Sequence, residues 1–302
     1  MNLLDVSGLQ KSYGEVEVVR GLDLQIRRGE CYGLLGPNGA GKTTTMRLCL
    51  GQIDPDAGRI SLLGEPVPAR AREARMRLGV VPQNDSLDPD FTVEENMLVF
   101  GRYFGLSDAD IRSRIPDLLE FAGLSQRGPA RIQSLSGGMK RRLSIARALI
   151  NDPDLIFMDE PTTGLDPQAR HLIWDRMKQL LGQGKTILLT THFMDEAERL
   201  CHRLSIMDSG RIIATGSPRE LIAAHIEAEV LEVYGDGVLG WADHAGSLAK
   251  RLERAGETVF CYADDATALV ASLLGSPSLR HLRRQANLED VFLKLTGRDL
   301  RD

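Results

Sequence analysis

The sequence predicts an α/β fold organised around a phosphate loop, with a helical insertion between its strands and a small α/β appendage at its end. Three observations carry that prediction. Gly36-Pro37-Asn38-Gly39-Ala40-Gly41-Lys42-Thr43 matches G-x-x-x-x-G-K-[ST]. It sits between a short apolar run, Cys31 to Leu35, and the helical stretch that opens at Thr44. Two later runs, Leu155 to Met158 and Thr186 to Thr191, are the kind of strand that a parallel sheet buries on both faces. Each ends in polar side chains, Asp159-Glu160 and His192, at the carboxyl end where such sheets gather their ligands.

The phosphate loop explains its own residue types. Glycines let the backbone curl around phosphate oxygens and aim its N–H groups inward. The helix that follows presents its positive dipole end to the same anion. Lys42 can reach the β- and γ-phosphates, and the Thr43 hydroxyl can ligate Mg²⁺. A Gly-rich turn without a ligand is the competing reading, and the full motif in strand–loop–helix context disfavours it.

The whole chain narrows the classes. Its 302 residues allow one large or two ordinary domains, and 42% hydrophobic with 26% charged residues is the composition of a soluble globular protein. A net charge of -5 argues against nucleic acid as a partner. The basic cluster Lys140-Arg141-Arg142 is too short to reverse that and reads as a solvated helix face. No apolar run approaches the ~18 residues needed to span a bilayer. The first residues, Met1-Asn2-Leu3-Leu4-Asp5, do not read as a signal peptide. Cys31, Cys49, Cys201 and Cys261 are scattered without metal-ligand spacing, as reduced core residues would be.

In chain order, the opening alternates strand-like runs with polar turns; Val16–Val19 and Leu22–Ile26 read as two strands, with Tyr13 in a turn between such segments. Tyr13 offers a flat ring on which a nucleotide base could stack. Arg59–Leu63 and Leu78–Pro82 are further strands, the second leading to Gln83. A glutamine at that strand end can ligate Mg²⁺ and orient an attacking water. From about residue 85 to 150 the pattern turns helical. Thr92 and Glu95 form a capping box, and Val93, Met97, Phe100 and Phe104 recur on one helix face. Ile111–Arg114 and Asp117–Phe121 continue the helical pattern. Phe91, Phe100, Tyr103 and Phe104 bring four aromatic rings into this short region. Most read as the insertion's own core, with some left exposed as a partner surface.

Leu135-Ser136-Gly137-Gly138-Met139 then opens a helix, a second anion-binding helix N-terminus. One nucleotide has little use for two such sites unless two copies of the chain face each other. Asp159 can hold Mg²⁺ through its hydration shell, and Glu160 can polarise a water for attack on a γ-phosphate. Gly164-Leu165-Asp166 is a turn, and a helix runs from Pro167 to about Leu181. Leu204–Met207 and Arg211–Ala214 read as a closing hairpin.

This ordered set resembles the ATP-binding subunit of an ABC transporter over roughly residues 1–220. The resemblance implies an ABC-type nucleotide-binding domain, a mixed sheet with a helical subdomain, over residues 1–222, with ATP and Mg²⁺ as cofactors. Residue by residue, it implies that Tyr13 stacks on adenine and that Gly36, Pro37, Asn38, Gly39, Ala40, Gly41, Lys42, Thr43 and Thr44 hold the phosphates. Thr43, Gln83 and Asp159 serve the metal, Glu160 is the general base, and His192 senses the γ-phosphate. Ser136, Gly137, Gly138 and Met139 cap ATP held by the opposite subunit of a homodimer, and Asp166 lies at the dimer seam. Three stretches narrow the likeness further: Gly64 to Arg72, Leu87 to Val93 and Phe100 to Gly105. With the tail Asn287 to Arg298, they resemble the NodI-type subunit that energises export of lipo-chitooligosaccharide nodulation factors. That likeness implies an integral membrane permease of the ABC-2 type as partner. It also implies a peripheral position on the cytoplasmic face of the inner membrane.

Three other classes fail on the same residues. A translation factor of this ATPase type carries two cassettes, and a second phosphate loop is absent. A DNA-repair relative needs a long coiled-coil insertion, for which the stretch from Gln83 to Leu135 is too short. A GTPase needs N-K-x-D, and no Asn-Lys pair occurs.

Residues 223–302 read as an accessory domain without a catalytic constellation. Glu229–Tyr234 and Thr258–Tyr262 alternate as strands, and Ser247–Arg254 and Ala266–Leu274 carry helical patterns. Asn287 caps a last helix.

Overall fold

A computed structural model describes residues 2–297; Met1 and Arg298, both used in the sequence reading, lie outside them. The chain divides into two compact units, Met1–Ala214 and Thr215–Asp302. The division falls before the 222/223 boundary expected from composition. Helix Pro218–His225 belongs to the second unit because it packs on that unit's last helix.

The first unit begins with β1 (Asn2–Tyr13) and β2 (Val16–Arg27), then β3 (Cys31–Leu35) and α1 (Lys42–Cys49). The two strands read at 16–19 and 22–26 are in fact one. Gly21 takes a φ of 71° within it, and the pairing with β1 shifts register nearby rather than breaking. Next come β4 (Ala57–Leu62), β5 (Glu65–Val67), α2 (Ala71–Arg75) and β6 (Leu78–Val81). The sheet β2-β1-β4-β5 is antiparallel.

The helical stretch holds α3 (Val93–Tyr103), α4 (Asp108–Phe121) and α5 (Gly137–Arg147). The capping box is present, with Glu95 N–H donating to Thr92 Oγ1 at 3.2 Å and Thr92 N–H to Glu95 Oε2 at 2.7 Å. The two helical segments read around Pro116 are one helix, α4. These helices close over Val93, Met97, Ile111, Leu119 and Leu143. Phe100 and Phe104 pack against that cluster and edge-to-face on each other, while Tyr103 remains 76% exposed.

Then follow β7 (Leu155–Asp159), α6 (Pro167–Gly182), β8 (Thr186–Thr191), α7 (Met194–Leu200), β9 (Arg203–Asp208) and β10 (Arg211–Gly216). The second sheet has the order β10-β9-β3-β8-β7-β6, and β9, β3, β8, β7 and β6 run parallel. Every residue of β3, β7 and β8 is buried, which is why their sequences carry no charged residue before the strand end. One core joins the antiparallel sheet to one face of this sheet, with α1 touching β2 and β7.

The second unit contains α8 (Pro218–His225), β11 (Glu229–Gly235), α9 (Val238–Ala245), β12 (Arg251–Ala255), β13 (Thr258–Ala263), α10 (Thr267–Ser272), β14 (Leu279–Gln285) and α11 (Leu288–Thr296). Its sheet has the order β12-β13-β11-β14, and α9 and α10 cover one face through Leu231, Val233, Trp241, Val259 and Leu269. The helix expected over 247–254 forms earlier, at 238–245, and Arg251–Ala255 is a strand. It is an edge strand, where charged side chains are tolerated because one row of the sheet faces solvent. The same reason hid β14, an arginine-rich edge with no apolar alternation. Asn287 caps α11 through Glu289 N–H and Asp290 N–H.

Candidate functional site

The site is a consequence of sheet order. The parallel strands β3, β8, β7 and β6 are neighbours, so their carboxyl ends deliver the phosphate loop, His192, Asp159-Glu160 and Gln83 to one place. The phosphate loop, Gln83 and Glu160 line a cavity of about 250 Å³ together with Val18. Two glycines are required by geometry. A Cβ on Gly36 would stand 2.3 Å from the Met207 carbonyl oxygen. Gly41 has a φ of 100° and would press a Cβ to 2.7 Å from the Val18 carbonyl oxygen.

Lys42 is buried at the centre of the loop, its ammonium donating to the carbonyls of Gly36 (2.7 Å) and Pro37 (3.0 Å). Its Nζ lies 3.4 Å from Glu160 Oε1. Burial lowers the Lys42 pKa, opposed by the Glu160 and Asp159 charges.

Glu160 is where the elements converge. Its Oε2 accepts from Gln83 Nε2 at 3.1 Å and Thr163 Oγ1 at 3.1 Å, and lies 3.3 Å from His192 Nδ1. Burial pushes its carboxyl up, but Lys42, His192 and the Thr163 hydroxyl outweigh that and hold it below the usual carboxylate range. The carboxylate is therefore ionised at neutral pH and can accept a proton from water. Its backbone is strained, with a φ of 46° at a non-glycine residue. Glu160 N–H donates to Thr190 O (3.0 Å) and Thr190 Oγ1 (3.1 Å), and its carbonyl accepts from Arg141 (3.1 Å). These contacts hold the left-handed turn that swings the carboxylate out of β7 toward the phosphate loop.

Thr43 Oγ1 lies 3.3 Å from Asp159 Oδ1, which also accepts from the Thr190 hydroxyl. A hydroxyl and a carboxylate beside a phosphate loop are hard oxygen donors suited to Mg²⁺, which takes one or two carboxylates with the substrate's phosphates rather than an all-protein cage.

Other expected residues stand apart. Tyr13 ends β1, half-exposed, with Lys11 over its ring at 5.7 Å, and does not line the cavity. Ser136 caps α5 by accepting from Met139 N–H at 3.3 Å, and Asp166 caps α6 by accepting from Ala169 N–H at 2.9 Å. Both are exposed, and neither lines the cavity. The two helix starts are adjacent, since a Cβ on Gly138 would touch Ala169 Cβ at 3.4 Å.

The sequence reading missed four residues. Thr163 and Thr190 hold Glu160 and Asp159, and a polar residue inside a wholly buried strand was the available signal for Thr190. Glu196, fully buried on α7, accepts from Thr162 Oγ1 (2.8 Å) and Trp174 Nε1 (3.0 Å). Burial raises its pKa despite those bonds. Arg141, expected on a solvated face, is only 5% exposed. A helix buried on most sides turns one member of a basic triplet inward.

Known proteins match this arrangement. The ABC transporter family model matches residues 19–163, and the model of the C-terminal domain of nodulation factor export protein NodI matches residues 239–297. A solved ATP-binding subunit of an ABC transporter superposes with a TM-score of 0.67 at 33% identity, over 74% of this chain and 92% of that one. A dimeric post-hydrolysis ATP-binding cassette bound to ADP and phosphate superposes with a TM-score of 0.65 at 26% identity, over 71% and 98% of the two chains. Fold and site thus define an ATP-binding cassette, the ATP-hydrolysing subunit of an ABC transporter. Among curated relatives, the Nod factor export ATP-binding protein I of Ralstonia nicotianae is 61% identical, over 99% of this chain and 95% of the relative. That of Paraburkholderia xenovorans is 60% identical, over 99% and 98%. The chain belongs to the family of Nod factor export ATP-binding proteins. Among the described residues no helix is long and apolar enough to cross a membrane.

Proposed function

We propose that two copies of this chain sandwich two ATP molecules and drive an integral membrane permease of the ABC-2 type. They would act at the cytoplasmic face of the inner membrane and export a lipo-chitooligosaccharide nodulation factor. The observation that carries the ATPase part is the Glu160 carboxylate, ionised and held by Gln83, Thr163 and His192 beside the phosphate loop. In this reading the loop amides and Lys42 hold the phosphates, and Tyr13 supplies a stacking face for adenine. Water attacks the γ-phosphorus, its proton passes to Glu160, and the bond to the β–γ bridging oxygen breaks to leave ADP and phosphate. His192 senses the γ-phosphate. Thr43, Asp159 and Gln83 would hold Mg²⁺, which neutralises charge on the phosphate oxygens when bound. Ser136 to Met139 cap ATP on the opposite copy, with Asp166 at the seam.

The cargo reading rests on the full-length likeness to Nod factor export proteins. The permease reading is supported by a groove of about 300 Å³ that includes Ser86, Phe91, Phe100, Tyr103 and Arg147. It adjoins the segment that follows Gln83, so a docked helix would press on the loop that reaches the site. The test is co-expression with the membrane protein encoded beside it in cells that make the lipo-chitooligosaccharide. Export with the intact chain and none with Glu160→Gln supports the proposal. Equal export by both refutes it.

A further inference from the structure

We infer that Arg141 is a positioning residue that ties the Ser136 end of α5 to the catalytic carboxylate of its own chain. This rests on the two-copy reading above and goes beyond it.

Arg141 Nε donates to Pro161 O at 2.7 Å, and Nη2 donates to Asp159 O at 3.0 Å and Glu160 O at 3.1 Å. Nη1 donates to Pro82 O and, at 3.4 Å, to Gln83 O. One buried guanidinium therefore spans two strand ends, β6 and β7. It fixes the backbone on either side of both Gln83 and Glu160. Only a planar fork of five donors can serve carbonyls in such different directions; an ammonium cannot. A buried cation resting on carbonyls is costly to keep. Placing an arginine here is hard to explain as packing alone.

The same helix begins at the Ser136-capped N-terminus, about one turn away. Two further residues bind α5 to the segment after Gln83: Ser144 Oγ donates to Asp85 Oδ1 at 3.3 Å, and Arg147 Nη1 to Ser86 O at 2.8 Å. The helix is thus stitched along its length to the loop that carries Gln83. A phosphate pulled onto its N-terminus by the opposite copy moves α5. Arg141 transmits that movement to the strained turn at Glu160, so each site hydrolyses only when the facing site is closed.

The experiment compares Arg141→Lys and Arg141→Gln with the wild type, measuring affinity for a fluorescent ATP analogue, kcat, and the Hill coefficient for ATP. The same substitutions are also made in the Glu160→Gln background to read ATP-driven dimerisation. The expected result is an affinity within about twofold of wild type, because the phosphate loop is untouched. Turnover should fall about a hundredfold, the scale of an ångström-level misplacement of a reacting group, and the Hill coefficient should drop toward one. A kcat and Hill coefficient like wild type in both variants overturn the inference. Loss of ATP affinity in both also overturns it, since Arg141 would then merely hold the fold together. If Glu160→Gln alone forms no dimer with ATP, the two-copy reading falls and this inference falls with it.

Discussion

Replacing Glu160 by Gln removes one charge and almost no volume. The Gln83 and Thr163 donors keep an acceptor oxygen to bind, so the turn that aims the side chain should survive. What is lost is the group able to take a proton from water. General-base catalysis is worth about 10² to 10⁴ in rate, or about 3 to 5 kcal/mol at 1.36 kcal/mol per decade. Stability should respond unevenly. Without nucleotide, Lys42 loses a buried partner at 3.4 Å, whereas bound phosphates supply the missing negative charge. The variant should therefore unfold at a lower temperature than wild type when free, and ATP should raise its unfolding temperature by more than it raises that of wild type. The assay pairs single-turnover phosphate release with thermal denaturation, with and without ATP. A turnover within a few-fold of wild type would refute the general-base assignment, whatever the stability data showed.

Three other predictions follow from named contacts. Gly36→Ala forces a Cβ against the Met207 carbonyl oxygen at 2.3 Å. It should cost about 1 to 3 kcal/mol and weaken ATP binding, and unchanged denaturation and affinity would contradict that packing. Tyr103→Glu, at an exposed ring lining the groove, should leave ATP affinity unchanged and reduce co-purification with the permease; retained capture would move the docking site elsewhere. Glu196 has a raised folded-state pKa. The stability it contributes as a neutral acid is complete below the ordinary carboxyl range and is lost as pH rises through the raised value. The stability difference between Glu196→Gln and wild type should thus move in the variant's favour as pH rises from about 4.5 through the raised value, and parallel melting profiles would show that the burial is relieved another way.

Most of the site was legible in the sequence because its residues sit at the ends of buried parallel strands. Cys31–Leu35 leads straight into the phosphate loop, Leu155–Met158 is an apolar run that ends in Asp159-Glu160, and Thr186–Thr191 carries no charged residue before His192, so the chemistry-bearing residues stand out at the strand ends. The phosphate loop and the Thr92–Glu95 capping box are local motifs whose geometry is set within a few residues. What stayed hidden depends on tertiary neighbours. Arg141 lies in a basic triplet indistinguishable from a solvated face until α5 is packed against β6 and β7. Thr163 matters only because Glu160 turns back toward it. In the second unit, Arg251–Ala255 and Leu279–Gln285 are strands at sheet edges, where solvent accepts charge and the period-two signal disappears. Phe104 and Tyr103 are neighbours in sequence with opposite fates, since one faces the helical cluster and the other solvent.

The central claim is that ATP is both the ligand and the glue of a two-copy assembly. Its most direct test is the molar mass of the Glu160→Gln protein by light scattering, with and without ATP and Mg²⁺. The account predicts a monomer without nucleotide and a dimer with ATP, and a monomer again when Ser136→Glu places negative charge at the α5 N-terminus. A mass that ATP does not change, under conditions where ATP binding is measured, would contradict it.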